Sequence, residues 1–271
     1  MKILVIGGGN MGLTYAQGFL RSHITTSESM MILEKSTEKA AELSKKNIGT
    51  VYGTPEQCTK QADLIILAVK PQDSDKLFAS LKPHIDPQQV IVSIMAGVTI
   101  QTIAEGLGVA KVVRVMPNLP AQIGLGMSAF TASDDVTRIE LVTVQNLINT
   151  TGKTVYVESE RLIDATTAIS GSGPAYVWYF MDAMMKSAQQ MGFSASEAEL
   201  LVSQTFRGAI ELYQKSDLSC QEWIDRVSSK GGTTVAALAS FRNNLVHKDI
   251  IEGNFAAFER AIELGRQKVE S

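Results

Sequence analysis

The feature that most constrains this chain is the turn Gly7-Gly8-Gly9-Asn10-Met11-Gly12, which follows directly on the apolar run Ile3-Leu4-Val5-Ile6. In a G-x-G-x-x-G turn each glycine has its own physical task. Gly7 permits a tight reversal, Gly9 lets the backbone approach a pyrophosphate, and Gly12 lets a helix pack closely on the preceding strand. Asn10, Met11 and Gly12 open a helix whose first N–H groups lack an intrahelical acceptor and can face phosphate oxygens. The spacing alone is a weak signal. Here the context that the motif requires is present: a strand before, a helix after, and a second apolar run ending about 20 residues on.

That second run is Met30–Leu33, and Leu64–Val69, Val90–Ser93 and Val112–Met116 repeat the pattern between helical stretches. Several of these runs lack apolar–polar alternation, as strands buried on both faces of a parallel sheet do. The expectation is a doubly wound α/β domain of Rossmann type over residues 1–153. Six of the seven prolines precede residue 121 and only Pro174 follows. From 154 to 271 the chain reads as all-helical. Ser196–Glu199 and Ser219–Glu222 fit capping boxes, Pro174 suits the first turn of a helix over Ala175 to Met191, and Phe255, Phe258, Ile262 and Val269 recur at helical spacing. These helices are apolar enough to expect burial against a partner subunit.

Bulk composition narrows the class. A chain of 271 residues, 45% hydrophobic and 20% charged, has material for a sizeable core, and a net charge of −3 gives no electrostatic reason to expect nucleic acid or an anionic membrane. Its two cysteines, Cys58 and Cys220, form no metal or disulfide pattern, so no metal site is expected. The opening apolar run is too short for a secretory leader, and no run approaches the roughly 18 apolar residues of a membrane helix. A cytoplasmic protein is expected.

The residues after the second strand bear on which nicotinamide dinucleotide is bound. Glu34 suits a free ribose 2′-OH, whereas Lys35 and Ser36 suit a 2′-phosphate, so NADP(H) is expected with NAD(H) also accepted. Ala68-Val69-Lys70-Pro71 leaves a strand at the sheet edge along which a dinucleotide lies, and Ala96, Gly97 and Asn118 end at the same edge. In the helical half, Ser228-Ser229-Lys230-Gly231-Gly232-Thr233-Thr234 precedes a helix over Thr233–Phe241. Free N–H groups and hydroxyls at a positive helix end suit a carboxylate, although a capped helix start reads the same way.

With these segments in view, the chain resembles the pyrroline-5-carboxylate reductase family. The likeness runs through the glycine turn, Val69-Lys70-Pro71, Ala96-Gly97-Val98-Thr99, Met116-Pro117-Asn118, Leu162-Ile163-Asp164, Ser170–Tyr176 and the Ser228–Thr234 loop, nearly the whole chain in order. It implies reduction of the cyclic imine 1-pyrroline-5-carboxylate to L-proline, a helical dimerisation domain, and a homodimer that can assemble further into a decamer. It also implies that Ser229, Gly232, Thr233 and Thr234 hold the substrate carboxylate, with the Thr234 hydroxyl at the ring nitrogen. Glu160 would border the substrate or order the loop, and the Ser229–Thr234 loop would serve the cofactor of the other subunit. Lys230, Leu119 and Pro55 depart from the family pattern, the last near the adenosine ribose.

The chemistry fits what the sequence lacks. Ketone reduction needs an acid for the developing alkoxide, and apart from Lys230 neither substrate segment offers one. The three histidines, His23, His84 and His247, fall in expected loops or helix ends and read as solvated. A protonated imine already carries the positive charge that draws hydride. A β-hydroxyacid-type dehydrogenase would want a catalytic lysine early in the helix after Ser170–Tyr176, and Lys186 lies too far along. A non-catalytic dinucleotide sensor would not need the Thr233-Thr234 loop.

Overall fold

The computed structural model describes residues 1–266. Its first half is built from β1 (Ile3–Ile6), α1 (Asn10–Arg21), β2 (Met30–Leu33), α2 (Thr37–Ser44), β3 (Thr50–Tyr52), β4 (Leu64–Leu67), α3 (Ser74–Leu81), β5 (Val90–Ser93), α4 (Ile100–Leu107) and β6 (Val112–Met116). Then come β7 (Gly126–Ala132), α5 (Arg138–Asn149) and β8 (Gly152–Tyr156). One sheet results, in the order β3-β2-β1-β4-β5-β6-β7-β8.

β1, β2, β4 and β5 are buried along their whole length, as their unbroken aliphatic runs require. Alternate side chains feed two separate cores. Ile3 and Val5 join Tyr15 and Phe19 of α1 and Leu147 and Ile148 of α5, while Leu4 and Ile6 join Phe78 and Leu81 of α3 and Ile103 and Leu107 of α4. This is the doubly wound arrangement expected. The sheet is not wholly parallel, however: β6 pairs antiparallel with β7, and β7 then pairs parallel with β8. Chain order reverses between β1 and β4, which both pair with parallel register from Ile3 and Leu64 onward. A crevice at the carboxyl ends of strands on either side of such a reversal is where α/β sheets take ligands.

The helical half comprises α6 (Glu160–Thr166), a π-turn (Thr167–Gly171), α7 (Gly173–Gln190), α8 (Ala195–Gln214), α9 (Cys220–Arg226), α10 (Thr233–Asn243) and α11 (Val246–Arg266). The Ser219–Glu222 capping box forms as expected. The one expected at Ser196–Glu199 does not: Ser194 caps α8 and Glu197 completes the box. Gly192, at φ +107°, breaks the preceding helix, so the chain is already extended at Ser194 and Ser196 falls inside the new one. Val269 lies outside the described residues.

The chain forms two compact units, Met1–Ser172 joined by the segment from Ala257, and Gly173–Ala256. The division expected between 153 and 154 thus falls within the first unit. An ionic tie fastens α6 to the sheet: the buried Arg114 of β6 reaches the half-buried Glu160 and Asp164. In the second unit α7, α9 and α10 bury no residue and α8 buries only Ala198 and Val202. Tyr179 and Met191 stand 75% and 77% exposed, with Trp178, Leu200 and Phe241 also uncovered. Apolar surface on this scale marks an association face rather than a solvated bundle.

Candidate active site

The glycine turn separates what the fold needs from what a ligand needs. Gly7 has φ +104°, and a Cβ there would lie 2.7 Å from the Ala68 carbonyl oxygen. A Cβ on Gly12 would run into the carbonyl oxygen of Gly7, so close contact of α1 with the strand end excludes any side chain. Gly9 is different. Its φ of −77° and ψ of 179° suit any residue, and a Cβ would find nothing within 4 Å. The space over Gly9 lies at the N-terminus of α1, which has no side-chain cap, so the amides of Asn10 and Met11 there suit an anion.

Beside this turn opens a cavity of about 410 Å³. Of the residues expected at a dinucleotide, Gly7, Gly9, Glu34, Lys35, Ala68, Val69 and Lys70 line it. Pro55, noted above as a departure from the family pattern, lines it too. Asp73, Lys76 and Leu77 were not anticipated; they come from the turn and helix after Pro71, whose spacing carries no signal of a ligand. Ser36 stands back from the cavity and caps α2, accepting from the Lys39 N–H at 3.4 Å.

Glu34 is buried, and both its oxygens are taken by backbone. Oε2 accepts from the Gly8 N–H at 3.0 Å and Oε1 from the Ser36 N–H at 2.9 Å. The carboxylate therefore ties the glycine turn to the end of β2. The rim of the cavity is basic: Lys35, Lys39, Lys70 and Lys76 line it, with Lys35 3.3 Å from Asp73. That pair is exposed, so it contributes little stability and leaves Lys35 available to an anion.

Ala96, Gly97 and Asn118 do not line this cavity. Gly97, at φ +70°, packs against the end of α11, where a Cβ would meet the Gly265 nitrogen and the Leu264 carbonyl carbon at 3.4 Å. Asn118 is fully engaged within the protein. Its amide nitrogen donates to the Ser170 carbonyl at 3.2 Å and its oxygen accepts from the Met127 N–H at 2.9 Å. Glu160 is engaged with the sheet domain: Oε1 accepts from the Ile100 N–H at the start of α4 and from Arg114 Nη1, both at 2.9 Å. Arg114, 2% exposed, also donates through Nη2 to Asp164 Oδ1 at 2.7 Å. Burial pushes the Asp164 carboxyl above its ordinary value, with Arg114 pulling it partly back.

In the second unit, the loop before α10 is shaped by two glycines. Gly231 sits at φ +72°, and Gly232, whose N–H donates to the Ser229 carbonyl at 2.9 Å, has no room for a Cβ beside the Ser229 hydroxyl. Gly232 is the N-cap of α10 and brings no side-chain cap, so the first turn, with Thr233 exposed and Thr234 half-buried, offers amides and two hydroxyls. Lys230 is exposed. So are His23 and His247, while His84 is half-buried 3.3 Å from Glu56. Among the described residues no group of three or more His, Cys, Asp or Glu could hold a metal, and no helix is long and apolar enough to cross a membrane.

Residues 160–264 match the pyrroline-5-carboxylate reductase dimerisation family, and residues 2–97 match the NADP oxidoreductase, coenzyme F420-dependent family. Pyrroline-5-carboxylate reductase 2 of Bacillus subtilis is 34% identical over 98% of this chain and 96% of its own. Among solved structures, a pyrroline-5-carboxylate reductase from Coxiella burnetii superposes with a TM-score of 0.89 at 30% identity, covering 97% of this chain and 98% of its own. The Plasmodium falciparum pyrroline carboxylate reductase with NADP bound gives 0.88 at 28% identity, with 98% of each chain covered.

Proposed function

This chain belongs to the pyrroline-5-carboxylate reductase family, and on that premise we propose how its residues carry out the reduction of 1-pyrroline-5-carboxylate to L-proline. The observation that carries the reading is the pairing of an open glycine turn, built to admit a pyrophosphate, with a second uncapped helix start bearing Thr233 and Thr234. NADPH, when bound, would supply the hydride equivalent for the imine carbon, the C=N bond becoming C–N while its nitrogen keeps the proton it carried. The chain's part is to hold and orient. The amides of Asn10 and Met11 take the pyrophosphate, and the lysine rim takes the 2′-phosphate. The backbone of Ser229 to Thr234 takes the substrate carboxylate, and Thr234 sets the ring nitrogen. The uncovered apolar faces of the helical unit meet a second copy of the chain, whose loop serves the cofactor of its neighbour. The protein works in the cytoplasm. The direct test is consumption of NADPH and NADH by the pure protein, with the cyclic imine against a panel of open-chain keto acids. Turnover of keto acids as fast as the imine rules the assignment out.

Glu34 sharpens the cofactor expectation. Its carboxylate is held by backbone amides, yet it lines the cavity, where its charge would oppose a 2′-phosphate. Removing one like charge at that range is worth about 1–2 kcal/mol, so Glu34→Ser should raise the NADPH/NADH ratio of kcat/KM roughly 5- to 30-fold. An unchanged ratio would mean that this charge is not felt at the ribose.

Thr234→Val keeps the shape of the side chain and deletes the hydroxyl. A hydrogen bond to a charged group contributes roughly 1.5–3 kcal/mol, so kcat/KM for the imine should fall about 10- to 150-fold. NADPH affinity should change little. Near-full kcat/KM in this variant would reduce Thr234 to a packing residue.

A further inference from the structure

The π-turn Thr167–Gly171 is held by the carboxyl end of β6. Its own closing bond runs from the Ser172 N–H to the Thr167 carbonyl at 2.9 Å. A π-turn has poorer intrinsic geometry than an α-turn and persists where its surroundings impose it, often at functional sites. Two features of this chain impose it. In an α-helix the Ser170 carbonyl would accept from the N–H of residue 174, and that residue is Pro174, which has none. The side-chain amide of Asn118 supplies the missing donor, lying 3.2 Å from both the Ser170 carbonyl oxygen and its hydroxyl. Asn118 is itself fixed by the Met127 N–H at 2.9 Å. A Cβ on Gly171 would lie 2.8 Å from the terminal methyl of Met116, the movable end of a β6 side chain.

We propose that Asn118 is a positioning residue for imine reduction. It acts by holding the π-turn open, not by touching the cofactor. The inference rests on the reductase reading for its catalytic consequence. Ser170 and Gly171 stand at the carboxyl edge of β6, the edge along which a dinucleotide lies. Collapse of the turn to α register would move them by one residue, roughly 1.5 Å along the helix axis. A displacement of about 1 Å can cost up to about a hundredfold in rate.

Asn118→Asp tests this, because it keeps the acceptor for Met127 and removes the donor to the Ser170 carbonyl, leaving two acceptors face to face there. The expected result is a kcat for the imine lowered about tenfold or more, an NADPH Kd in fluorescence titration within about twofold of wild type, and faster hydrogen exchange at the Ser172 amide. A kcat within about twofold of wild type, or unaltered Ser172 exchange, overturns the proposal. So does an equal loss of NADPH affinity, which would make Asn118 a cofactor contact. If Asn118→Asp does not fold, Pro174→Ala decides by the same readouts, since it gives Ser170 a helical donor and draws the turn toward α register. Should the wild-type protein not reduce the imine, the reductase reading fails, and Ser172 exchange still reports whether the clamp exists.

Discussion

Replacing Gly9 with valine is expected to leave the first unit folded and to weaken NADPH binding by about a hundred- to ten-thousand-fold. The backbone at Gly9 is extended, and nothing in the protein lies within 4 Å of where a side chain would start. The fold therefore has no need of glycine at this position, and the unfolding free energy should fall only by the modest cost of a poor N-cap, about 1 kcal/mol. A valine side chain would instead fill the space at the uncapped start of α1. Displacing the pyrophosphate from two backbone amides forfeits two charge-assisted hydrogen bonds, about 1.5–3 kcal/mol each, hence the range given. Gly12 cannot be used in the same way. A side chain there strikes the Gly7 carbonyl, so loss of binding would be inseparable from loss of fold. Titration of Gly9→Val with NADPH, beside its unfolding curve, decides the matter. Affinity within tenfold of wild type would mean that the phosphates do not pass over Gly9.

The strands legible in the sequence were those buried on both faces, because only there does burial write an unbroken aliphatic run. β3 is three residues, Thr50-Val51-Tyr52, and β8, Gly152–Tyr156, is an edge strand with exposed Lys153 and Tyr156. Neither has a face apolar enough to announce itself. β7 mixes glycine, alanine and serine of low strand propensity, and it exists because it pairs with β6 and β8 on either side. The glycine turn was legible because its demands are local. Glu34 was legible as an acid at the end of β2, but its bond to the Gly8 amide, 26 residues away, was not. Asn118 was legible as a residue at the carboxyl edge of the sheet, but its bond to Ser170 was not, since nothing local tells an amide facing Ser170 from one facing a nicotinamide. Arg114 was missed although it carried a signal. A charge within Val112-Val113-Arg114-Val115-Met116, a run otherwise suited to full burial, demands a buried counter-charge.

That counter-charge sets the other large effect. Arg114→Met should lower the stability of the protein by about 3–5 kcal/mol, the usual cost of removing one partner from a buried ionic cluster. Methionine keeps an apolar stem of similar reach, so the loss falls on the charges left behind. Glu160 and Asp164 would face each other across the gap, with the Ile100 amide as the remaining donor to Glu160. Asp164 makes the effect depend on pH in a definite direction. Burial already holds its carboxyl above the ordinary value, Arg114 counteracts this, and Glu160 adds to it. Between the ordinary value and the raised one, the folded chain holds a proton that the unfolded chain has released, so stability falls as pH rises through that window. Without Arg114 the window widens upward. The gap in unfolding free energy between Arg114→Met and wild type should therefore be larger at pH 8 than at pH 5, where Asp164 can take up a proton and spare the fold a buried unpaired charge. Urea unfolding of both proteins at the two pH values measures it. A gap independent of pH would remove Asp164 from the account, and a gap below about 1 kcal/mol at pH 8 would show that α6 is held to the sheet by packing alone.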